Sequence, residues 1–205
     1  MIPRDAIFKI ERGGTLHIVS EHYGYKTEPY YTILDYEARG VNVFPTSRDV
    51  IDASVVPICL ERARLNGIPV CKWGISQGYV PIPSILYGMN YFSNTSDYSL
   101  VESVPDSKKV INHITNNGKY PFCYQDLPEG GTIEPIISIF GNVVEKDRVV
   151  SNIAKKIYGI FNIPIITLVF IRCGEECFLS SLSSAKYSAM TKKERALLKS
   201  YLETS

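Results

Sequence analysis

No apolar run in this chain approaches the roughly 20 residues needed to cross a bilayer. The opening stretch Met1–Gly14 lacks the apolar centre of a secretory signal. Net charge is nearly absent: 22 basic against 21 acidic side chains leave +1. No gross attraction to nucleic acid or to an anionic membrane surface follows from such a balance. The aromatic residues are not interleaved with a basic stripe, which disfavours a nucleic-acid platform. Five cysteines, an odd number, argue against a disulfide framework, and Cys173 with Cys177 has no second pair to complete a zinc site. Low-complexity tracts and convincing repeats are missing too. These absences lead to the expectation of a cytoplasmic globular protein with no membrane or nucleic-acid partner, no metal and no cofactor.

The common catalytic signatures are also lacking. There is no Gly-rich dinucleotide fingerprint after the first strand, no phosphate-loop Lys-Ser/Thr and no H-E-x-x-H. There is no G-x-S-x-G elbow.

What is present is a dense apolar second half. Ile136, Ile137, Ile139 and Phe140 form a short run closed by Gly141-Asn142, as expected of a buried strand. Val150, Ile153, Ala154, Ile157 and Phe161 recur at helical spacing, and Ile163-Pro164 stops that helix. From Ile165 to Ile171 only Thr167 is not strongly apolar, which predicts a strand covered on both faces. Gly174-Glu175-Glu176 is read as a hairpin connection into Cys177–Leu182, and Thr191 with Glu194 caps a last helix.

The first half reads strand, helix, strand, helix, strand. The strands are Leu16–Ser20, Val41–Phe44 and Ile68–Trp73; the helices run from Pro29 to Arg39 and from Val50 to Asn66 with a break at Pro57. That order favours parallel pairing with right-handed crossovers. The fold class expected is α/β, a Rossmann-like parallel half (residues 1–105) packed on an antiparallel α+β half (residues 106–205), the two perhaps forming one continuous domain. From Gly74 to Asp97 the periodicity fails. A long aromatic loop is expected there, with Tyr79, Tyr87, Tyr91 and Phe92, and Tyr98 just beyond. The stretch Tyr79–Tyr98 is one candidate surface for a homo-oligomer.

The run from Ser138 to Leu202, SIFGNVV…ITLVFIRCGEECFLSSLSS…KKERALLKSYL, resembles the C-terminal half of the N-terminal domain of RimK-like ATP-grasp proteins. The matching features are the Phe-Gly, the helix, the apolar strand with its return strand and the closing Glu-Arg helix. HYGYKTEPYYTILDYEARGVNVFPTSRDVID, from His22 to Asp52, resembles the first half of the same domain. In that family the domain precedes an ATP-grasp ligase that joins a carboxylate to an amine; here the chain is expected to end where the ligase would begin. The resemblance implies a non-catalytic accessory domain that binds a small anionic metabolite or a separate ATP-grasp ligase chain. A second similarity, of Pro121–Val144 with the following helix and hairpin, is to the large lobe of ATP-grasp ligases. It implies magnesium held by acidic residues on the last strands, with an Asn nearby. The corresponding hairpin offers Thr167, Val169, Leu179 and Ser181 instead.

Ligands of open parallel sheets gather beyond the strands' carboxyl ends. Three loops are expected there: His22, Tyr23, Tyr25 and Lys26; Thr46, Ser47 and Arg48; and Trp73, Ser76 and Gln77. Their cations, hydroxyls and aromatic faces suit a carboxylate-bearing small molecule. His22 is the acid or base candidate for a free-standing enzyme, with Lys26 and Arg48 as anion clamps. Solvated loop residues that never converge are the alternative, and whether the chain is itself an enzyme stays open at this level.

Overall fold

A computed structural model of the chain describes residues 6–90 and 97–203. It is a mixed α/β protein with several sheets and, among the described residues, six α-helices. The chain divides into two compact units, each interleaved in sequence. The described part of the first takes in residues up to Ala53, then Pro135–Leu168, then Ser184 onward; the second takes in Ser54–Glu134 and Val169–Ser183. Both draw on residues either side of position 105.

The first unit opens with the hairpin β1 (Phe8–Arg12) and β2 (Thr15–Val19), paired antiparallel across Gly13-Gly14. Both glycines have positive φ, which a tight turn of this hand requires. Helix α1 (Glu28–Ala38) carries the chain over to β3 (Val43–Phe44), which lies parallel to β2. Pro29 stands in the first turn of α1, where its missing N–H costs nothing. Helix α2 (Ser47–Ser54) follows. Helix α5 (Arg148–Phe161) shows why the periodic pattern was decisive: Val150, Ile153, Ala154, Ile157 and Phe161 are its buried residues. Its N-terminus is closed by the Asp147 carboxylate, which accepts from the N–H groups of Val149 (2.8 Å) and Val150 (3.3 Å). The unit's core gathers Ile10, Val19, Ile139, Phe140, Ile165, Tyr187, Met190 and Leu198, the last from helix α6 (Lys192–Glu203).

The second unit is built on a four-stranded sheet in the order β4 (Trp73–Ser76), β7 (Phe122–Asp126), β5 (Ser84–Gly88), β6 (Tyr98–Val101), every neighbour antiparallel. Alternation along β5 sends Leu86 to one side and Ile85 and Tyr87 to the other. Leu86 joins Val101, Phe122 and, from helix α4 (Val104–Ile114), Ile111 and Ile114. Ile85 and Tyr87 join Cys123, Cys71, Ile171 and, from helix α3 (Val56–Leu65), Val56 and Leu60. A three-stranded sheet, ordered β10 (Glu176–Ser183), β9 (Ile165–Cys173), β8 (Thr132–Ile139), contributes to both units along its length.

Several expectations need correction. The third parallel strand, Ile68–Trp73, does not form; only Val70 makes a parallel bridge, to Leu179. Pro69 has no N–H to give a ladder, and its carbonyl accepts from Leu179 N–H instead. The strand starts at Trp73 and pairs antiparallel with β7. Strand β2 pairs in parallel with β3. Pro57 is not a break inside a helix: α2 ends at Ser54 and Pro57 sits in the first turn of α3. The supposed loop Gly74–Asp97 contains β5, and Tyr87 is a core residue at 1% exposure. Tyr79, at 73%, is exposed. Tyr91 and Phe92 lie outside the described residues.

Candidate functional site

The loop that follows β2 is folded by its own tyrosine. Tyr23 is buried; its hydroxyl accepts from Ser20 N–H (2.9 Å) and donates to the Ile18 carbonyl (3.1 Å). Burial pushes its phenol well above the ordinary range, so it stays neutral and structural. Thr27 closes the loop with two bonds to the Gly24 carbonyl. The resulting shape leaves Tyr25 and Lys26 exposed, with Lys26 Nζ 5.4 Å from the Tyr25 ring centroid. His22 is half-buried, and its Nδ1 lies 2.8 Å from Ser184 Oγ. The Ser184 carbonyl accepts from Thr167 Oγ1 at 3.1 Å. Sequence reasoning passed over Glu21 beside it. That residue is only 5% exposed and its carboxylate accepts from Tyr187 N–H at 2.6 Å.

The second group sits at the start of α2. Thr46 Oγ1 is 2.8 Å from Asp49 Oδ2, and Ser47 N–H donates to Glu37 Oε1 at 2.9 Å. A carboxylate of the chain itself therefore occupies the hydrogen-bonding position an external anion would seek there. Arg48 reaches into solvent, its side chain 88% exposed, with Asp52 3.7 Å away. The third group, Trp73, Ser76 and Gln77, belongs to the other unit. Trp73 packs on the cluster around Tyr87, and Ser76 Oγ accepts from Gly78 and Tyr79 N–H, shaping the turn after β4. The structure therefore brings His22, Tyr23, Tyr25, Lys26 and Arg48 into one unit and Trp73, Ser76 and Gln77 into another.

A polar network inside the second unit was missed altogether. Ser180 and Ser181 on β10 are fully buried, as is Gln125 on β7. Tyr87 Oη and Ser180 Oγ are 2.7 Å apart, and Gln125 Nε2 donates to the Ser180 carbonyl at 2.7 Å. These bonds tie the β5–β7 sheet to β10. Burial pushes the Tyr87 phenol up to about 12. The only sequence signal was the run of hydroxyls from Ser180 to Ser184, broken by Leu182, in a strand that otherwise calls for apolar residues.

No protein-family model matches the sequence, and no curated protein matches it. Solved structures do match. D-alanine–D-alanine ligase from Helicobacter pylori aligns with a TM-score of 0.62 at 11% identity, covering 85% of this chain and 65% of that one. The ATP-grasp ligase PsnB, complexed with a phosphomimetic variant of its minimal precursor, Mg and ADP, gives 0.58 at 15% identity, over 85% and 65%. A RimK domain ATP-grasp protein from Sphaerobacter thermophilus gives 0.60 at 11% identity, over 86% and 74%. The chain has the ATP-grasp fold. It spans 65% of the length of the first two of these proteins.

That fold implies a magnesium–nucleotide site, and the residues here can be tested against it. The resemblance places the metal's carboxylates on the last strands, which are β9 and β10. Strand β9 has none, and the one carboxylate of β10 is the exposed Glu176 at its start. Thr167, Val169, Leu179 and Ser181 are neutral, and Ser180 is already bonded to Tyr87. Magnesium takes hard, preferably charged oxygens. Among the described residues no group of three or more His, Cys, Asp or Glu is placed to hold a metal ion. The residues of this hairpin do not fit the metal.

Proposed function

We propose that this chain is a non-catalytic ATP-grasp-fold module that serves a carboxylate–amine ligase carried on a separate chain. In this proposal it binds a small anionic substrate at the loop of His22, Tyr25 and Lys26. One observation supports this above the rest: where the fold would place magnesium carboxylates, β10 presents serines, and Ser180 is consumed by Tyr87 and Gln125. Phosphoryl transfer depends on charge neutralisation at the phosphates, and neutral hydroxyls locked in a core supply little of it. The exposed Lys26 beside Tyr25 supplies a cation and a flat aromatic face for a carboxylate-bearing ligand.

The test is a thermal-shift and calorimetric comparison on the purified chain. Millimolar Mg–ATP is expected to leave the melting temperature unchanged. A ligand at 100 times its Kd would stabilise by about 2.7 kcal/mol, which is several degrees for a chain of this size. Small carboxylates should give such a shift, and Lys26→Ala should remove it. ATP turnover that co-elutes with the protein through successive columns and is lost in Ser180→Ala would overturn the proposal.

A second reading, a free-standing enzyme, is favoured by the contact between His22 and Ser184. With Nδ1 unprotonated, the imidazole accepts the hydroxyl proton and readies the serine as a nucleophile. Covalent labelling of Ser184 by a fluorophosphonate, abolished in His22→Asn, would move the balance to that reading.

A further inference from the structure

We propose that His17 is an acid-sensitive latch: on taking up a proton it drives Arg12 off an aromatic stack and loosens helix α6 from the first unit. Tyr201 holds the helix through its ring, its carbonyl and its hydroxyl. Its ring stacks on Phe140, centroids 4.4 Å apart and planes within 11°. Its carbonyl accepts from Arg12 Nη2 at 2.6 Å. Its hydroxyl is bonded to Asn142 Nδ2 at 2.7 Å. The Arg12 guanidinium lies 4.8 Å from the Tyr201 centroid and 5.4 Å from that of Phe140, so one cation grips both halves of the stack. Phe140 itself is held at φ +48°, a costly conformation for a residue with a side chain.

His17 sits beneath this assembly. It is 8% exposed, and its ring lies 5.7 Å from Phe140 and 5.8 Å from Phe44. Its Nδ1 is buried and has no hydrogen-bond partner among the described residues. A neutral imidazole tolerates that position; an imidazolium would gain an N–H with no acceptor and a second positive charge near Arg12. Among the described residues, Arg12 is the charged group that acts on it, and no carboxylate offsets it. Phe44 of β3 and Phe140 at the end of β8 face its ring, and Tyr158 of α5, Tyr201 of α6 and Arg12 of β1 pack in turn on Phe140. Burial first, and Arg12 second, hold the His17 pKa below its ordinary value.

The sign follows. With the closed-state pKa below that of the open chain, the closed latch keeps its full advantage above the ordinary value of 6.5 and loses it as pH falls. Each unit of separation between the two pKa values changes the opening constant about tenfold. Opening would bare Leu197, Leu198, Tyr201 and Leu202 together with the Ile10–Val19–Ile139 surface they cover.

Hydrogen exchange of the full chain, read peptide by peptide near neutrality and near pH 5, tests this. After correction for the intrinsic pH dependence, α6 should lose protection in acid while β9 keeps it, and dye binding to newly bared apolar surface should rise. In His17→Asn the acid effect should vanish. Equal α6 protection at both pH values, parallel loss in β9, or an unchanged acid effect in His17→Asn would each overturn the latch. Should that variant fail to fold, NMR titration of the wild-type imidazole decides: a His17 pKa at or above its ordinary value sinks the proposal, and one below it supports it.

Discussion

Removing the Tyr87 hydroxyl deletes its link from β5 to the serines of β10. Tyr87→Phe keeps the buried ring among Ile85, Cys123, Ile171 and Leu60 and deletes only the oxygen that lies 2.7 Å from Ser180 Oγ. A net hydrogen bond contributes about 0.5–1.5 kcal/mol, and a buried partner left unpaired costs about 1–3 kcal/mol. Each of Tyr87→Phe and Ser180→Ala should therefore destabilise by about 1–2 kcal/mol. The double variant should cost less than the sum, with a coupling of about 1 kcal/mol. Trp73 is the sole tryptophan and packs on this same cluster, so its fluorescence reports the second unit. With a urea slope of about 1–3 kcal/mol/M, the single variants should move the midpoint down by roughly 0.3–2 M at unchanged slope. Strict additivity of the two substitutions would mean the bond contributes nothing, and the account of β10 as a structural rather than a metal-holding strand would lose its main support.

Burial of the same phenol sets an alkaline limit, which its bond to Ser180 partly offsets. The Tyr87 phenol is pushed from its ordinary value of 10 up to about 12, mainly by burial. The unfolded chain therefore releases this proton first. The stabilisation is complete below about pH 10 and is lost as pH rises toward 12, amounting to about 3 kcal/mol across that interval. Tyr87→Phe should flatten this part of the stability profile, measured by urea midpoints at stepped alkaline pH. A profile identical to the wild type would show that another group governs it.

Two further outcomes are expected. Asp147→Ala should cost about 1 kcal/mol by freeing two N–H groups at the start of α5, read as a lowered melting temperature in circular dichroism; a change under a few tenths would count against the cap. Four of the five thiols are buried, with Cys59, Cys71 and Cys123 pushed up to about 12 by burial, so a water-soluble alkylating reagent should modify Cys173 first in the native protein. Modification of Cys59 at a comparable rate would contradict its complete burial.

Helix α5 and the β9–β10 hairpin were legible in the sequence because their signals are local: a 3.6-residue period and a near-continuous apolar run ended by Gly174. Strand β5 was not. Ser84, Ile85, Leu86 and Tyr87 are all buried, so nothing alternates, and Pro81 and Pro83 before it read as loop. Nor could the sequence show that Trp73 begins an antiparallel edge strand, since its partner Gln125 comes fifty-odd residues later. The site divides along the same line. His22 could be singled out by residue type and position, but its partner Ser184 is 162 residues away, and Tyr87 finds Ser180 93 residues away. That β9 has no carboxylate and β10 only Glu176 at its start could be read by comparison with the resembling family. What happens to the serines there could not. A serine in a strand reveals nothing about whether its hydroxyl is open to a ligand or consumed by the core. The Ser180 side chain is bonded to a fully packed tyrosine and its carbonyl to a buried glutamine, which makes this part of β10 a structural tie. That distinction is why the Tyr87–Ser180 coupling, rather than an ATPase assay alone, is the sharper test of the proposed non-catalytic role.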